Sequence, residues 1–134
     1  MYQHFVQYYE TDKMGVTHHS NYIRFMEEAR LEFFKGLGFD YFECEKKGMI
    51  SPVVGLNNIK YKRPSTAGDI IDIDVSVKAV TLVTFTIQYT MKIKDTVIFT
   101  GESEHCLLGK DGKIIPLGDK RVKEFTEKLK DLIV

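Results

Sequence analysis

Two consecutive segments alternate apolar and polar residues over long runs, and this alternation restricts the possible folds more than any other feature of the chain. Leu82–Lys94 carries an apolar side chain at every second position from Val83 to Ile93, and Ile71–Lys78 repeats the pattern. Successive side chains of a strand point to opposite faces of its sheet. Each segment is therefore predicted to have one buried face and one polar face, which is typical of an antiparallel sheet.

A long amphipathic helix is predicted ahead of these strands. It can be capped at its start by Ser20 or Asn21 and ended by Gly36 or Gly38. Its apolar stripe, at three- and four-residue spacing, consists of Tyr22, Phe25, Met26, Ala29, Phe33 and Leu37. Shorter helical patterns cover Tyr41–Lys47 and Asp119–Val134.

Five strands are predicted in all: Tyr2–Tyr9, Val53–Arg63, Ile70–Val80, Leu82–Lys94 and Thr96–Leu108. Gly101 interrupts the last strand, where a bulge or a close backbone approach would require glycine. Lys110–Lys113 has the composition of a hairpin turn. The order of strand, long helix and strands favours a single α+β domain over residues 1–134, with the helix along one face of a curved sheet.

Composition and charge disfavour several function classes. Lys plus Arg and Asp plus Glu are equal at 19 each, so no basic excess indicates a nucleic-acid or membrane-surface partner. The chain has no apolar run long enough to span a membrane and no signal-peptide pattern at its start. Cys44 and Cys106 show no metal or redox spacing and are interpreted as free thiols. We therefore expect a cytoplasmic protein.

The segment between the first strand and the long helix concentrates acidic and imidazole side chains. It holds Glu10, Asp12, His18, His19 and Asn21. A carboxylate such as Asp12, close to helix N–H groups without partners, could attack a carbonyl or activate water while those groups hold the oxyanion. Asp is also an ordinary cap, so capping remains an alternative, although Asp12 lies too far from Ser20 to cap the long helix itself.

Two other kinds of active site are disfavoured by residue spacing. His18 and His19 are adjacent and diverge on a helix, so no metal site is predicted. The segment 101–105 contains a serine and a histidine but lacks the second glycine of a nucleophile elbow and its parallel-sheet context. His4, His18 and His105 are interpreted as solvated or hydrogen-bonded structural side chains.

The stretch from Tyr9 to Tyr22 resembles the signature of the hotdog-fold acyl-CoA thioesterases of the 4-hydroxybenzoyl-CoA thioesterase type. The family pattern, aromatic-x-[DE]-[TC]-D-x-x-G-[IV]-V-[YW]-[HYF]-x-x-Y, matches at nearly every fixed place. Tyr61–Pro64, followed by Gly68 and Asp69, resembles the end of the family's second strand. The resemblance implies a hotdog fold, in which a curved antiparallel sheet of about five strands wraps a long central helix.

The resemblance also implies an activity: hydrolysis of an acyl-CoA thioester to the free acid and CoA, without a metal or redox cofactor. Asp12 would be the catalytic carboxylate, as nucleophile or general base. The backbone N–H of His19 would polarise the thioester carbonyl, while its side chain could orient water or the leaving group. Gly15 would allow a tight turn beneath the substrate. Residues expected in segments that line the acyl or pantetheine channel are Ser51, Pro52, Val53 and Thr84.

A homodimer or homotetramer is expected as well, because the family's channel is usually formed between subunits. This chain departs from the family pattern at Glu10, Thr17 and His18, and Val80–Val83 lacks the basic cluster that binds the CoA phosphates in some relatives. Two alternatives remain, an acyl-carrier-protein thioesterase and a non-catalytic acyl-CoA-binding module on the same fold. A hydratase is disfavoured by the spacing of Asp12 and His19.

Overall fold

The computed structural model describes residues 1–133 and contains a five-stranded antiparallel sheet. Its strands are β1 (Tyr2–Phe5), β2 (Val53–Tyr61), β3 (Ile70–Val80), β4 (Phe85–Ile93) and β5 (Thr96–His105). They lie in the order β1-β3-β4-β5-β2, so β1 and β2 are the edges. The predicted five-stranded antiparallel sheet is confirmed.

The helices are α1 (Asn21–Gly36), α2 (Tyr41–Lys46) and α3 (Lys123–Asp131), with 3-10 turns at Tyr8–Glu10 and Lys120–Val122. The 16-residue α1 packs on one face of the sheet, against β1 and β3. The apolar stripe supplies Phe25, Met26 and Ala29 to the buried core. The other core residues are mostly the inward-facing members of β3, β4 and β5, among them Ile71, Ile73, Val77, Ile87, Tyr89, Met91 and Phe99.

The first strand is shorter than predicted. It was expected to reach Tyr9, but it ends at Phe5, which pairs with Ile70, the first residue of β3. Val6 still hydrogen-bonds to Gly68 and Asp69 in the turn before β3, and the chain then leaves the sheet as a 3-10 turn at Tyr8–Glu10. Tyr8 and Tyr9 are therefore 86% and 76% exposed instead of lying in the sheet.

Several other predicted boundaries also lie further out than the observed ones. β4 begins at Phe85 because Thr81–Thr84 forms a turn, in which the Thr81 N–H donates to the Thr84 carbonyl at 2.8 Å. The prediction that Leu82 lies in a strand is thus wrong. β2 ends at Tyr61, β5 ends at His105, and the last helix begins with a 3-10 turn at Lys120. The ends of β4, α2 and α3 are Ile93, Lys46 and Asp131. Val134 lies outside the described residues.

Two glycine predictions are confirmed. Gly101 is buried in β5, and a Cβ there would lie 2.7 Å from the end of the Ile59 side chain and 3.1 Å from the Phe99 ring, so a larger residue would have to displace its neighbours. In the predicted hairpin turn, Gly112 has a φ of +75° and its N–H donates to the Gly109 carbonyl.

Candidate active site

Residues 10–18, between β1 and α1, form a tight hairpin. The Asp12 N–H donates to the Val16 carbonyl at 2.9 Å, and the His18 N–H donates to the Glu10 carbonyl at 2.8 Å. The Asn21 side chain also donates to the Glu10 carbonyl, at 2.8 Å, which ties the first turn of α1 to the hairpin. The hairpin therefore holds Asp12 and the residues that enter α1 in one rigid unit.

Asp12 lies half-buried at the turn of this hairpin. Its Oδ1 accepts the Met14 N–H at 2.8 Å, and its carbonyl accepts the Gly15 N–H at 2.9 Å. Gly15 has a φ of +79°, a conformation that favours glycine, so the predicted tight turn at Gly15 is confirmed. Asp12 thus caps its own turn and makes no cap to α1, while no hydrogen bond to its Oδ2 occurs within residues 1–133.

His19 lies just before α1, with an exposed side chain. Its ring stacks on His18 at a centroid distance of 4.3 Å, and its carbonyl accepts the Tyr61 hydroxyl at 3.2 Å. Its backbone N–H has no acceptor in the described part of the chain, and Ser20 provides no side-chain cap to the helix. A helix-terminal N–H without a partner is a donor suited to an oxyanion.

A buried ion cluster fastens the hairpin to β1 and α1. Glu10 is 2% exposed, forms an ion pair with Arg24, and accepts hydrogen bonds from the Gln7 N–H and the His4 ring at 2.8 Å each. The other His4 ring nitrogen lies 2.9 Å from the Glu28 carboxylate. His4 is therefore a hydrogen-bonded structural side chain, as interpreted. The sequence offered no spacing that would have predicted this cluster around Glu10.

A cavity of about 500 Å³ lies between the second half of α1, α2, the start of α3 and the segment that enters β2. Three of the predicted channel residues, Ser51, Pro52 and Val53, line it. Its apolar lining includes Leu31, Phe34, Phe39, Tyr41, Phe42, Met49, Phe85, Leu107 and Phe125. The fourth predicted channel residue, Thr84, lies in the turn before β4, where its hydroxyl contacts that of Thr81 at 2.7 Å. Its channel role stays a prediction.

The hairpin and the cavity lie at opposite ends of β2. Tyr61, the last residue of β2, contacts the His19 carbonyl, whereas Val53, the first, lines the cavity. At about 3.3 Å per residue, a nine-residue strand separates its ends by roughly 26 Å. Asp12, Gly15 and His19 are not among the cavity-lining residues. A single chain therefore does not bring the predicted acid and the predicted acyl channel together.

Ser103 and His105 do meet, but inside the protein. The Ser103 Oγ lies 2.7 Å from the His105 Nε2, and both residues are 0% exposed. No carboxylate contacts the His105 Nδ1, which makes no hydrogen bond of normal geometry among the described residues, although the Pro52 backbone is close enough to act on the ring. Since substrate cannot reach this serine, the pair is no hydrolase dyad, in agreement with the sequence argument. The Nδ1 without a regular hydrogen bond was not anticipated.

Other reactive groups are few in the described residues. No group of three or more His, Cys, Asp or Glu side chains there is arranged to hold a metal ion, and no helix of residues 1–133 has the length and apolarity to cross a membrane. Cys44 and Cys106 are free, as expected. Burial raises the pKa of the Cys44 thiol at the cavity, which disfavours a thiolate nucleophile there.

Comparison with known proteins points to one family. A family model described as the thioesterase-like superfamily matches residues 6–132. A protein of Aquifex aeolicus (strain VF5), provisionally named an esterase, is 37% identical over 132 residues, which cover 98% of each chain. A Bacillus subtilis (strain 168) protein, YneP, provisionally named an acyl-CoA thioesterase, is 50% identical over 64 residues, which cover 48% of this chain and 46% of that protein.

The fold is shared with solved thioesterase structures. The DHNA-CoA thioesterase of Staphylococcus aureus is 30% identical to this chain and superposes with a TM-score of 0.85, covering 97% of this chain and 91% of that one.

Proposed function

The chain belongs to the thioesterase-like superfamily, and from that membership we propose that it hydrolyses acyl-CoA thioesters to a free acid and CoA. Thioester hydrolysis is the activity named for the family and for two of the relatives, whereas the Aquifex aeolicus protein is named only as an esterase. The acyl-CoA substrate is the finer part of the proposal, and the name of the relative YneP supports it. We also keep the cytoplasmic location and the absence of a resident cofactor as parts of this proposal.

One observation carries the proposal: the hairpin presents a carboxylate and an unused amide within a few residues of each other. The Asp12 carboxylate has an oxygen without a hydrogen bond, and the His19 N–H has no acceptor, in residues 1–133. An acid paired with an oxyanion donor is the arrangement that acyl transfer requires. Capping alone accounts for the Asp12 turn but assigns no role to the His19 amide.

The proposed reaction uses these two groups in one of two ways. As nucleophile, the Asp12 carboxylate adds to the thioester carbonyl while the oxyanion accepts the His19 N–H. CoA thiolate then leaves, and water hydrolyses the resulting anhydride. As general base, Asp12 instead removes a proton from the water that attacks the carbonyl. Both routes consume one water and release the acid and CoA.

A panel of acyl thioesters tests this proposal directly. We expect the purified protein to release free thiol from short aliphatic and aromatic acyl-CoA substrates. Hydrolysis of the matched oxygen esters is not part of the expected result. Thiol release would be followed with a chromogenic disulfide, and the same acyl groups on acyl-carrier protein would serve as the competing substrates. Exclusive hydrolysis of the carrier-protein thioesters would select that alternative. Tight acyl-CoA binding without turnover would select the non-catalytic module.

We further propose that the working unit contains at least two chains paired through β2. In the sheet, β2 hydrogen-bonds only to β5, which leaves its other edge open. This edge strand carries unusually exposed apolar side chains: Val53 at 45%, Val54 at 52%, Leu56 at 44% and Tyr61 at 49%. An open apolar edge of this length is suited to pairing with a second copy.

Antiparallel pairing of two β2 strands would also complete the site. A two-fold axis places the Tyr61 end of one strand beside the Val53 end of the other, with neighbouring strands about 4.8 Å apart. The Asp12 hairpin of one chain would then lie at the cavity of its partner. Asp12 and His19 do not line the cavity of their own chain, and pairing of this kind would bring the acid of one chain to the cavity of the other.

Mixing two inactive variants tests the shared site. Asp12→Asn removes the acid, and Ser51→Trp fills the cavity without touching the hairpin. We expect each variant alone to be inactive, whereas a remixed sample regains about one quarter of the wild-type activity, because half of the dimers are mixed and each has one intact site. Sedimentation should show dimers or larger assemblies at micromolar concentration. A monomer, or absence of complementation in confirmed mixed dimers, would contradict the proposal.

A further inference from the structure

Arg30 differs from the other charged residues that line the cavity. The cavity lining in the described chain includes five charged side chains: Glu27, Arg30, Lys47, Arg121 and Glu124. Arg30 alone among these five is half-buried, and the others are exposed. The cavity therefore has one cation in its wall and the remaining charges at its solvent side.

Among residues 1–133 the Arg30 guanidinium also has no counter-ion. Arg24 and Arg121 are ion-paired, with Glu10 and Asp119, but no ion pair involves Arg30 in residues 1–133. Its one side-chain hydrogen bond is from Nη1 to the Tyr89 hydroxyl, at 3.1 Å. A guanidinium has five N–H donors and no acceptor, so most of its donors remain without a protein side-chain partner. A partly buried cation in an apolar wall is costly unless a ligand compensates it.

A buried hydrogen-bond relay holds Arg30 from behind. The Tyr89 hydroxyl lies 2.7 Å from the Ser103 Oγ, which lies 2.7 Å from the His105 Nε2, and all three residues are 0% exposed. Arg30 can only donate, so the Tyr89 hydroxyl accepts from it. Every hydroxyl hydrogen then has an acceptor if Tyr89 donates to Ser103 and Ser103 donates to His105. His105 then accepts at Nε2 and carries its proton on Nδ1.

The relay supplies acceptor atoms but no negative charge. Burial first, and the nearby Arg30 charge second, lower the pKa of His105 to about 3, so the ring is neutral at physiological pH. Tyr89 and Ser103 are neutral hydroxyls. The relay thus fixes the position of the guanidinium in the cavity wall and leaves its charge available to a ligand.

The rest of the wall indicates the shape of that ligand. Six aromatic side chains line the cavity: Phe34, Phe39, Tyr41, Phe42, Phe85 and Phe125. Aromatic rings favour edge-to-face and offset contacts with another ring. A cavity of about 500 Å³ is large enough to hold a substituted benzene ring, within the usual range for small-ligand sites.

We infer that Arg30 is a specificity residue, which binds a hydroxyl, phenolate or carboxylate oxygen on the ring of an aromatic acyl group. This inference rests on the proposed thioester hydrolysis and names its substrate class. The aromatic wall selects the ring, and Arg30 selects an acceptor oxygen on the side of the ring away from the thioester. An unsubstituted ring leaves the cation without compensation and binds less well.

Matched substrates test the inference in the wild-type protein. Benzoyl-CoA is compared with its 3-hydroxy, 4-hydroxy and 4-carboxy derivatives, and hexanoyl-CoA serves as the aliphatic reference. We expect the best oxygenated ring to exceed benzoyl-CoA in kcat/KM by about tenfold to a hundredfold, the range of a charge-assisted hydrogen bond. Equal kcat/KM for all rings, or a preference for hexanoyl-CoA over every aromatic substrate, would overturn the inference and leave thioester hydrolysis intact. Absence of hydrolysis of any thioester would instead count against the proposed function itself.

Variants identify the residue responsible for the preference. Arg30→Met should reduce the ratio of oxygenated to unsubstituted kcat/KM to within about threefold of one. Arg30→Lys keeps the charge but not the planar fork, so it should show an intermediate ratio. It serves as the test variant if Arg30→Met does not fold. Arg121→Met is the matched control, because Arg121 is an exposed cavity cation already paired with Asp119, and it should keep the wild-type ratio. A wild-type ratio in both Arg30 variants would refute the assignment.

Discussion

Replacing Asp12 by asparagine is expected to lower kcat for acyl-CoA hydrolysis by about a thousandfold or more, with folding and substrate binding preserved. The turn itself should survive, because the amide oxygen of asparagine can still accept the Met14 N–H, and the Gly15 N–H still has the main-chain carbonyl. What is lost is the negative charge that either attacks the thioester or activates water. This variant therefore distinguishes a catalytic Asp12 from one that only caps its turn, since loss of a cap role alone would leave turnover nearly unchanged.

Asp111→Asn provides a matched control for the Asp12 experiment. The Asp111 Oδ1 accepts the Lys113 N–H at 3.0 Å, the same two-residue contact that Asp12 makes with Met14. Both variants should therefore show similar small changes in melting temperature, while activity is lost only in Asp12→Asn. His19→Ala should reduce activity less than Asp12→Asn, because the proposed oxyanion donor is a backbone N–H that alanine retains. An Asp12→Asn protein with near wild-type turnover would return the hairpin to a purely structural role.

The free energy of unfolding is expected to fall steeply as the pH drops below about 6.5, because of His105. Burial and the Arg30 charge lower the pKa of His105 from its ordinary value of 6.5 to about 3. Between these values the unfolded chain binds a proton that the folded protein does not, so stability rises with pH through this window. The contribution is fully present above pH 6.5, and about 2 kcal/mol of it is lost at pH 5 and about 4 kcal/mol near pH 3.

His105→Gln separates this contribution from the titration of carboxylates. Glutamine can still accept a hydrogen bond from Ser103 but carries no proton in this range. Urea unfolding of both proteins from pH 7.5 to pH 5 should show the wild type losing about 2 kcal/mol more than the variant, since the carboxylate contributions cancel in the comparison. Parallel curves over this range would show that the pKa of His105 in the folded protein is not lowered from its ordinary value, contrary to its burial in the relay.

Periodic patterns in the sequence predicted most of the secondary structure. The helix limits around Asn21 and Gly36 are confirmed, and β3 runs from Ile70 to Val80 as predicted. These elements are long and one face of each is buried, so the hydrophobic spacing reports their structure directly. The predicted ends of strands were wrong where pairing with a neighbouring strand decides them. Phe5 ends β1 because β3 begins opposite it, and no local pattern in residues 2–9 contains that information.

The candidate catalytic hairpin could be located from the sequence because its chemistry is local. Asp12, Gly15 and His19 lie within eight consecutive residues, and the turn geometry follows from a carboxylate oxygen that accepts the Met14 N–H and a glycine at positive φ. The position of the acyl channel was predicted only through a resemblance, at Ser51, Pro52 and Val53. That Asp12 and His19 do not line this cavity in their own chain required the tertiary structure.

Sequence by itself determined most of the elements, their exposed and buried faces, and the candidate catalytic hairpin, because these depend on residues within one or two turns of the chain. Tertiary structure decided the relay from Arg30 to His105 and the cavity it supports. The relay joins α1, β4 and β5 over 75 positions, and it forms only because the antiparallel register places Ile87 opposite Ser103, with Tyr89 two residues further along β4. A shift by one residue would turn Ser103 and His105 to the other face of the sheet, and no spacing within a single strand encodes that register.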